Sequence, residues 1–386
     1  MATDVAQLPA PVVALERRAF PLSVAVACLS IALATIGSVA WPPTAQLPQD
    51  VPDVAMVESM VRWDAGWYGE IAANGYWYRD PSQGQSPVAF FPLYPMTIRA
   101  LTWVGFNRWV AGSFVSLVCA LGGLAVFLRW ARRVNPAASF TAFLLLMLYP
   151  FAEYLYGVIY SDAMFLMMAV LAFVFLERGE PWFAAIFGAL ATACRPVAPA
   201  IVIGLLVRSI ELRRRAGLRV RFVDLLPGLS GLGLLAYMIF LGTQFHDPLA
   251  FAHVQAAAGW DQQPGWETWL KVSWFKTMFP QVAPLVAIRL VGHALVTLCA
   301  LALVVPTFKK LGWGYGVYCA MVVGIPAVSS KDFQGLGRYV IAAFPLFVTL
   351  ALLIGERRGL LRAVLIGFAV VLAMLAFALG AGGYVA

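Results

Sequence analysis

The sequence predicts an all-α polytopic membrane protein of about eleven transmembrane helices. Three observations lead there: 62% of the 386 residues are hydrophobic, only 12% are charged, and the apolar residues fall in long runs. Soluble chains are about half apolar and about a quarter charged, because their surface must meet water. With 27 Lys and Arg and 19 Asp and Glu, this chain lacks the polar skin of a water-soluble enzyme, and a coiled coil or a disordered chain is excluded on the same ground.

Residues 20–41 form the first run, preceded by Glu16-Arg17-Arg18. The run is too long for the apolar core of a signal peptide, so it reads as an uncleaved span behind a cytoplasmic tail, 1–19. Further runs lie at about 109–128, 137–157, 162–177, 181–195, 197–211, 223–243, 281–306, 313–329, 339–355 and 361–383. No internal repeat interrupts them, and 1–386 reads as one transmembrane domain. If the spans alternate from a cytoplasmic start, the inner segments hold 17 basic and 7 acidic residues, and the remainder holds 10 and 12. The net charge of +8 is therefore a topology signal with an attraction to anionic membrane lipids, and it calls for no nucleic-acid module. The five cysteines lie in apolar runs without C-x-x-C spacing, which points to packing rather than disulfides or zinc. Residues 88–106 are apolar too, but crossing there would move Arg129, Arg132 and Arg133 outside. Pro92, Pro95 and Arg99 fit a broken or re-entrant element at the outer face instead.

Two long outer connections remain for polar chemistry, 42–108 and 244–280. The first opens with Pro42, Pro43, Pro48 and Pro52, after which Asp53 is placed to cap a helix running to about residue 74 and ending at Gly75. Val57, Met60, Val61, Asp64, Trp67, Tyr68 and Ile71 share one face of that helix by spacing. Glu58 and Arg62, four apart, read as a surface pair. Asp64, an acid inside an apolar stripe, has two readings: it locks the helix by bonding amides or an arginine, or it serves as a general base whose pKa burial has raised.

The wording Arg62-Trp63-Asp64-Ala65-Gly66-Trp67-Tyr68 followed by Ala89-Phe90-Phe91-Pro92-Leu93-Tyr94-Pro95 resembles the PIG-V family of mannosyltransferases and its bacterial relatives, of the GT-C class of membrane glycosyltransferases. Tyr160-Ser161-Asp162, Cys194-Arg195-Pro196, His246-Asp247-Pro248 with Gln255 and Trp260, and Gly337-Arg338-Tyr339 extend the resemblance over most of the chain. It implies an inverting enzyme in the cell membrane of a prokaryote. Such an enzyme moves a sugar, usually mannose, from a polyprenyl-phosphate donor to a lipid or glycolipid acceptor on the non-cytoplasmic face. It also implies that Asp64 is the base, and that Trp63, Trp67, Tyr68, Phe91, Tyr94, Asp162, Gln255, Trp260 and Tyr339 contact substrate. Because Trp63 and Ala65 flank Asp64, no metal bridged by neighbouring carboxylates is expected, and no cofactor.

A leaving phosphate needs a cation. Arg338 is the first candidate and Lys331 the second, with Arg195 and His246 behind them. Arg338 also fits interfacial snorkelling beside Tyr339, and Arg195 also fits a structural pair with Asp162, Glu153 or Asp64. A lipid or sugar transporter is the competing reading, although transporters tend to carry repeats and mid-membrane charges on several helices. The orientation has a direct check: in a background lacking the native cysteines, impermeant thiol reagent added outside should label Gln83→Cys and spare Gly217→Cys. The opposite pattern would invert the chain.

Overall fold

The computed structural model describes residues 18–43, 46–262, 264–279 and 283–385, and these residues are helical without strands. Most of the expected cytoplasmic tail, 1–17, lies outside the described residues. Each of the eleven apolar runs contains helix, but not every one is a single helix of spanning length. Among the described residues five helices are long and apolar enough to cross: Ala19–Ala40, Arg108–Val134, Phe222–Phe245, Pro284–Leu311 and Arg358–Gly380. Counting Leu336–Ala342 with Pro345–Ile354 makes six, although the pair is bent by 87°.

The shortfall comes from helix breaks that hydropathy does not register. Crossing about 30 Å takes roughly 20 helical residues, and several runs stop early. The 137–157 run is helical only over Pro136–Met147, because Pro150 has no N–H to continue the ladder, and it resumes as a 3-10 turn, Ala152–Leu155. Pro181–Thr192 and Ala198–Arg215 are separated at Arg195-Pro196. These breaks place polar residues inside the bundle.

The first connection differs from its expected single helix. Ala55–Met60 and Ala65–Asn74 are two helices, and the first is preceded by Val54 rather than capped by Asp53. Between them Trp63 takes φ 51, a left-handed conformation unusual for a bulky residue. Gly75, at φ 82, ends the second helix as expected. The 88–106 segment is broken as expected, into a turn at Pro87–Ala89 and a ten-residue helix, Leu93–Thr102, too short to cross.

Close backbone approaches fix the assembly. Ala65–Asn74 lies against the Arg108–Val134 span because Gly69 has no side chain; a Cβ there would meet the Trp109 indole at 2.3 Å. At the opposite end of the bundle Arg208 joins Glu177 (2.6 Å) and Glu211 (2.9 Å), while Tyr315 donates to Glu177 at 2.7 Å, so three helix ends share one buried network. The first and last spans touch through glycine: a Cβ on Gly380 would stand 1.8 Å from the Ala34 carbonyl oxygen. Gly380→Ala should therefore overpack this contact and destabilise the protein by about 1–3 kcal/mol. Gly367→Ala, on the same helix with nothing within 4 Å, should not. Thermal unfolding in detergent compares them, and equal melting temperatures would remove the contact from the account.

Candidate active site

The break at 61–64 determines where Asp64 goes. Val61 and Arg62 turn inward, and the Arg62 guanidinium donates to Ser38 Oγ at 3.0 Å and to the Gly380 carbonyl at 2.9 Å. It is thus a buried anchor to the first and last spans, whereas spacing alone suggested a surface partner for Glu58. The left-handed Trp63 then reverses the chain. Asp64 follows, with its amide donating to the Tyr160 hydroxyl at 3.0 Å.

Asp64 stands at the N-cap of Ala65–Asn74, yet its side chain makes no capping hydrogen bond. The amide-bonding role is therefore absent. Its Oδ2 lies 3.7 Å from Arg338 Nη2, and its side chain keeps 34% of its accessible area. Arg338 Nη1 is 4.0 Å from Asp162 Oδ2, and the other Asp162 oxygen pairs with Arg195. The four side chains form an alternating series: acid, base, acid, base. Opposite charges in contact offset much of the desolvation that isolated buried charges would suffer. Tyr154 and Tyr160 lie under the Arg338 guanidinium at 4.9 and 4.8 Å, and Tyr339 lies under Arg195 at 4.5 Å. In the connection outside the spanning helices, burial pushes the Asp64 carboxyl above its ordinary range, and Arg338 pulls it back.

Other candidates fall into separate groups. Trp67 stacks on Phe90 (5.9 Å between ring centroids, 20°) and meets Trp260 at 5.9 Å, making an aromatic group one turn beyond Asp64. Tyr68 bonds to Ser161 at 3.0 Å, which links it to the residue before Asp162. Phe91 and Tyr94 are enclosed: Phe91 packs on Tyr237 and Phe251, and Tyr94 donates to Gly112 or Ser116. They brace the wall. Lys331 lies outside the four-residue series, paired with Asp261 at 2.8 Å. The half-buried Gln255 accepts at its backbone carbonyl from the Gln262 backbone N–H at 2.8 Å. His246, exposed at φ 59, closes the Leu232–Phe245 helix, and Asp247 beside it is held by His253 at 2.7 Å.

Tyr160 and Tyr384 were given no role by the sequence, and Glu153 was named only as a possible partner of Arg195. Glu153 is 1% exposed, and neither carboxyl oxygen has a hydrogen-bond partner among the described residues. An acid within the apolar Tyr149–Tyr156 stretch was a usable signal. Tyr160 was part of a quoted motif without a role. Tyr384 reaches Trp63 with ring centroids 4.8 Å apart, and nothing local in the sequence marks it. Among the described residues no three His, Cys, Asp or Glu side chains converge as a metal-binding group.

The helical arrangement is similar to that in the crystal structure of the Archaeoglobus fulgidus oligosaccharyltransferase in its apo form, with a TM-score of 0.50 and 13% sequence identity. The match covers 94% of this chain and 56% of that one, so the chain spans a little over half the length of its neighbour. No family model and no curated protein matches the chain. At this identity the likeness concerns fold alone. It does not extend to the PIG-V family.

The Asp64–Arg338 contact has a measurable consequence. Arg338→Gln removes the cation that lowers the Asp64 pKa, so Asp64 should stay protonated to higher pH than in the wild type. Infrared difference spectra through a pH titration would follow the protonated carboxyl band, assigned with Asp64→Asn. An unmoved titration would mean the contact carries no electrostatic weight.

Proposed function

We propose that this chain is an inverting membrane glycosyltransferase with Asp64 as its general base. The observation that carries the reading is the Asp64 carboxylate itself. It is recessed yet accessible, unused as a cap, and 3.7 Å from a guanidinium whose own contacts are long. A GT-C fold supports the reaction class.

In the proposed transfer, an acceptor hydroxyl gives its proton to Asp64 while its oxygen attacks the anomeric carbon from the side opposite the leaving group. The bond from that carbon to the phosphate oxygen breaks, and polyprenyl phosphate departs with the electron pair. Arg338 suits the leaving phosphate, because it meets Asp64 and Asp162 only at 3.7 and 4.0 Å and its Nε is unpartnered among the described residues. A forked cation with unsaturated donors can take a phosphate that a tightly bonded one cannot. Arg195 is more fully committed, through Asp162 and the Tyr339 face, and serves as the fixed end of the series. Lys331 and His246 belong to this proposal as contacts of the donor farther from the anomeric carbon. Trp67, Trp260 and Tyr68 supply the adjacent aromatic wall, with Phe91 and Tyr94 behind it, and the proposal counts Gln255 and Tyr339 as further substrate contacts.

Mannose as the transferred sugar, a polyprenyl-phosphate donor, a lipid or glycolipid acceptor and a non-cytoplasmic site in a prokaryotic cell membrane rest on the motif resemblance together with the charge asymmetry of the loops. Neither a metal nor a cofactor enters the proposed steps. Membranes carrying the protein, supplied with polyprenyl-phosphate mannose and a lipid acceptor extract, should release polyprenyl phosphate. Asp64→Asn keeps the shape and loses basicity, so release should fall by about two or more orders of magnitude while the melting temperature is kept. Equal turnover in the two proteins would rule out Asp64 as the base.

A further inference from the structure

The residue before Asp64 adopts a backbone conformation that is unfavourable for its side chain. Trp63 has φ 51, where a bulky side chain is strained and glycine is not. The residue is 49% exposed, so burial does not compensate for the strain. The exposure is nevertheless not looseness. Trp63 Nε1 donates to the Gly383 carbonyl at 3.2 Å, and the ring meets Tyr384 edge to face at 4.8 Å.

The segment supplying those contacts is itself fastened at several points. Arg289 donates to the Tyr384 carbonyl at 3.0 Å and lies over its ring at 5.2 Å. Val385 is 5% exposed, and Arg62, the residue before Trp63, holds the Gly380 carbonyl. Gly382, at φ 81, makes the turn that returns Tyr384 toward Trp63. Two neighbours in sequence, Arg62 and Trp63, thus grip both ends of residues 380–383, one buried and one at the surface.

We propose that residues 380–385 form an arm of the Asp64 site that holds the Trp63 indole as a wall for a ring-bearing acceptor, such as a lipid carrying a hexose. The inference rests on the transferase reading and specifies its acceptor class. A pyranose presents a face of C–H groups to an aromatic ring while its rim of hydroxyls stays free to bond. With the ring against Trp63, a rim hydroxyl is offered to the carboxylate of the next residue, Asp64. Trp63 is the contact residue. Tyr384 is a positioning residue acting through it, by its ring and not its hydroxyl. An indole placed only for the lipid interface would have no need of strained backbone or of an arm returning from the end of the last span.

Binding of a short-chain dialkylglycerol bearing one hexose, compared with the same lipid bearing an open-chain triol, tests this on the full-length protein in nanodiscs by titration calorimetry. Trp63→Gly fits the left-handed backbone, so its melting temperature should be kept while hexosyl-lipid affinity falls about tenfold and triol-lipid affinity does not. Tyr384→Ala should show the same selective loss, and Tyr384→Phe should bind as the wild type does. Unchanged hexosyl-lipid affinity in Trp63→Gly, an equal loss for both lipids, or a wild type that does not prefer the hexose would each overturn the proposal. Those outcomes are separate from the Asp64 release assay, because binding is read without turnover.

Discussion

The rest of the site depends on Asp162. It is 3% exposed, pairs with Arg195 through one oxygen and faces Arg338 at 4.0 Å with the other. Two buried guanidinium groups would repel each other without it, and an uncompensated buried charge costs several kcal/mol. Asp162 also begins the Asp162–Glu177 helix, where backbone dipoles favour a negative charge. One carboxylate therefore sets the positions of an arginine from the Thr192–Ala198 break and an arginine from the short helix at 336–342. Through Arg338 it reaches Asp64. Segments that are far apart in sequence meet because each brings a charge that cannot be buried alone.

The interruptions that reduce the number of full spans also build this centre. Irregular backbone within a membrane protein is tolerated where protein encloses it or a cavity wets it. Here the irregular stretches at 61–64, 148–161 and 193–197 contain or adjoin Asp64, Glu153, Tyr160, Asp162 and Arg195, and Arg338 lies on the seven-residue helix Leu336–Ala342, between two further breaks. A bundle of eleven unbroken spans would satisfy its backbone more simply. It would leave these side chains on helix faces with no common focus.

Much of this was legible in the sequence because it depends on local composition. Apolar runs became helices, Gly75 ended a helix, and a lone acid in an apolar stripe proved unusual. The pairing of Arg195 with Asp162 was one of three options that charge scarcity allowed. The two-helix form of 55–74 was not legible, since the apolar spacing runs unbroken through Val61 and Asp64 while the conformation changes at Trp63. Arg62 was misread for the same reason. Its four-residue spacing from Glu58 is a local signal, but its partners Ser38 and Gly380 are 24 and 318 residues away. Tyr384 lies at the far end of such a contact, and only the folded chain brings it to Trp63.

The unequal contacts along the charge series bear on how the proposed reaction would be ordered. Arg195 is bonded to Asp162, whereas Arg338 is shared between two acids at distances too long for hydrogen bonds. The donor's phosphodiester carries one negative charge, as a carboxylate does, gains a second as the bond to the sugar breaks, and suits a forked donor, so in the proposed transfer Arg338 turns toward it while Asp162 stays with Arg195. Asp64 then loses part of the cation that was lowering its pKa. Its affinity for a proton rises as the donor arrives. In that proposed transfer an acid that is a partner in the resting charge network becomes a stronger base in the loaded site, which would couple deprotonation of the acceptor to the presence of the leaving group. The same logic explains why a fully bonded Asp64–Arg338 pair would serve poorly: a carboxylate held by two short bonds would be too weak a base and too poorly placed to accept a proton.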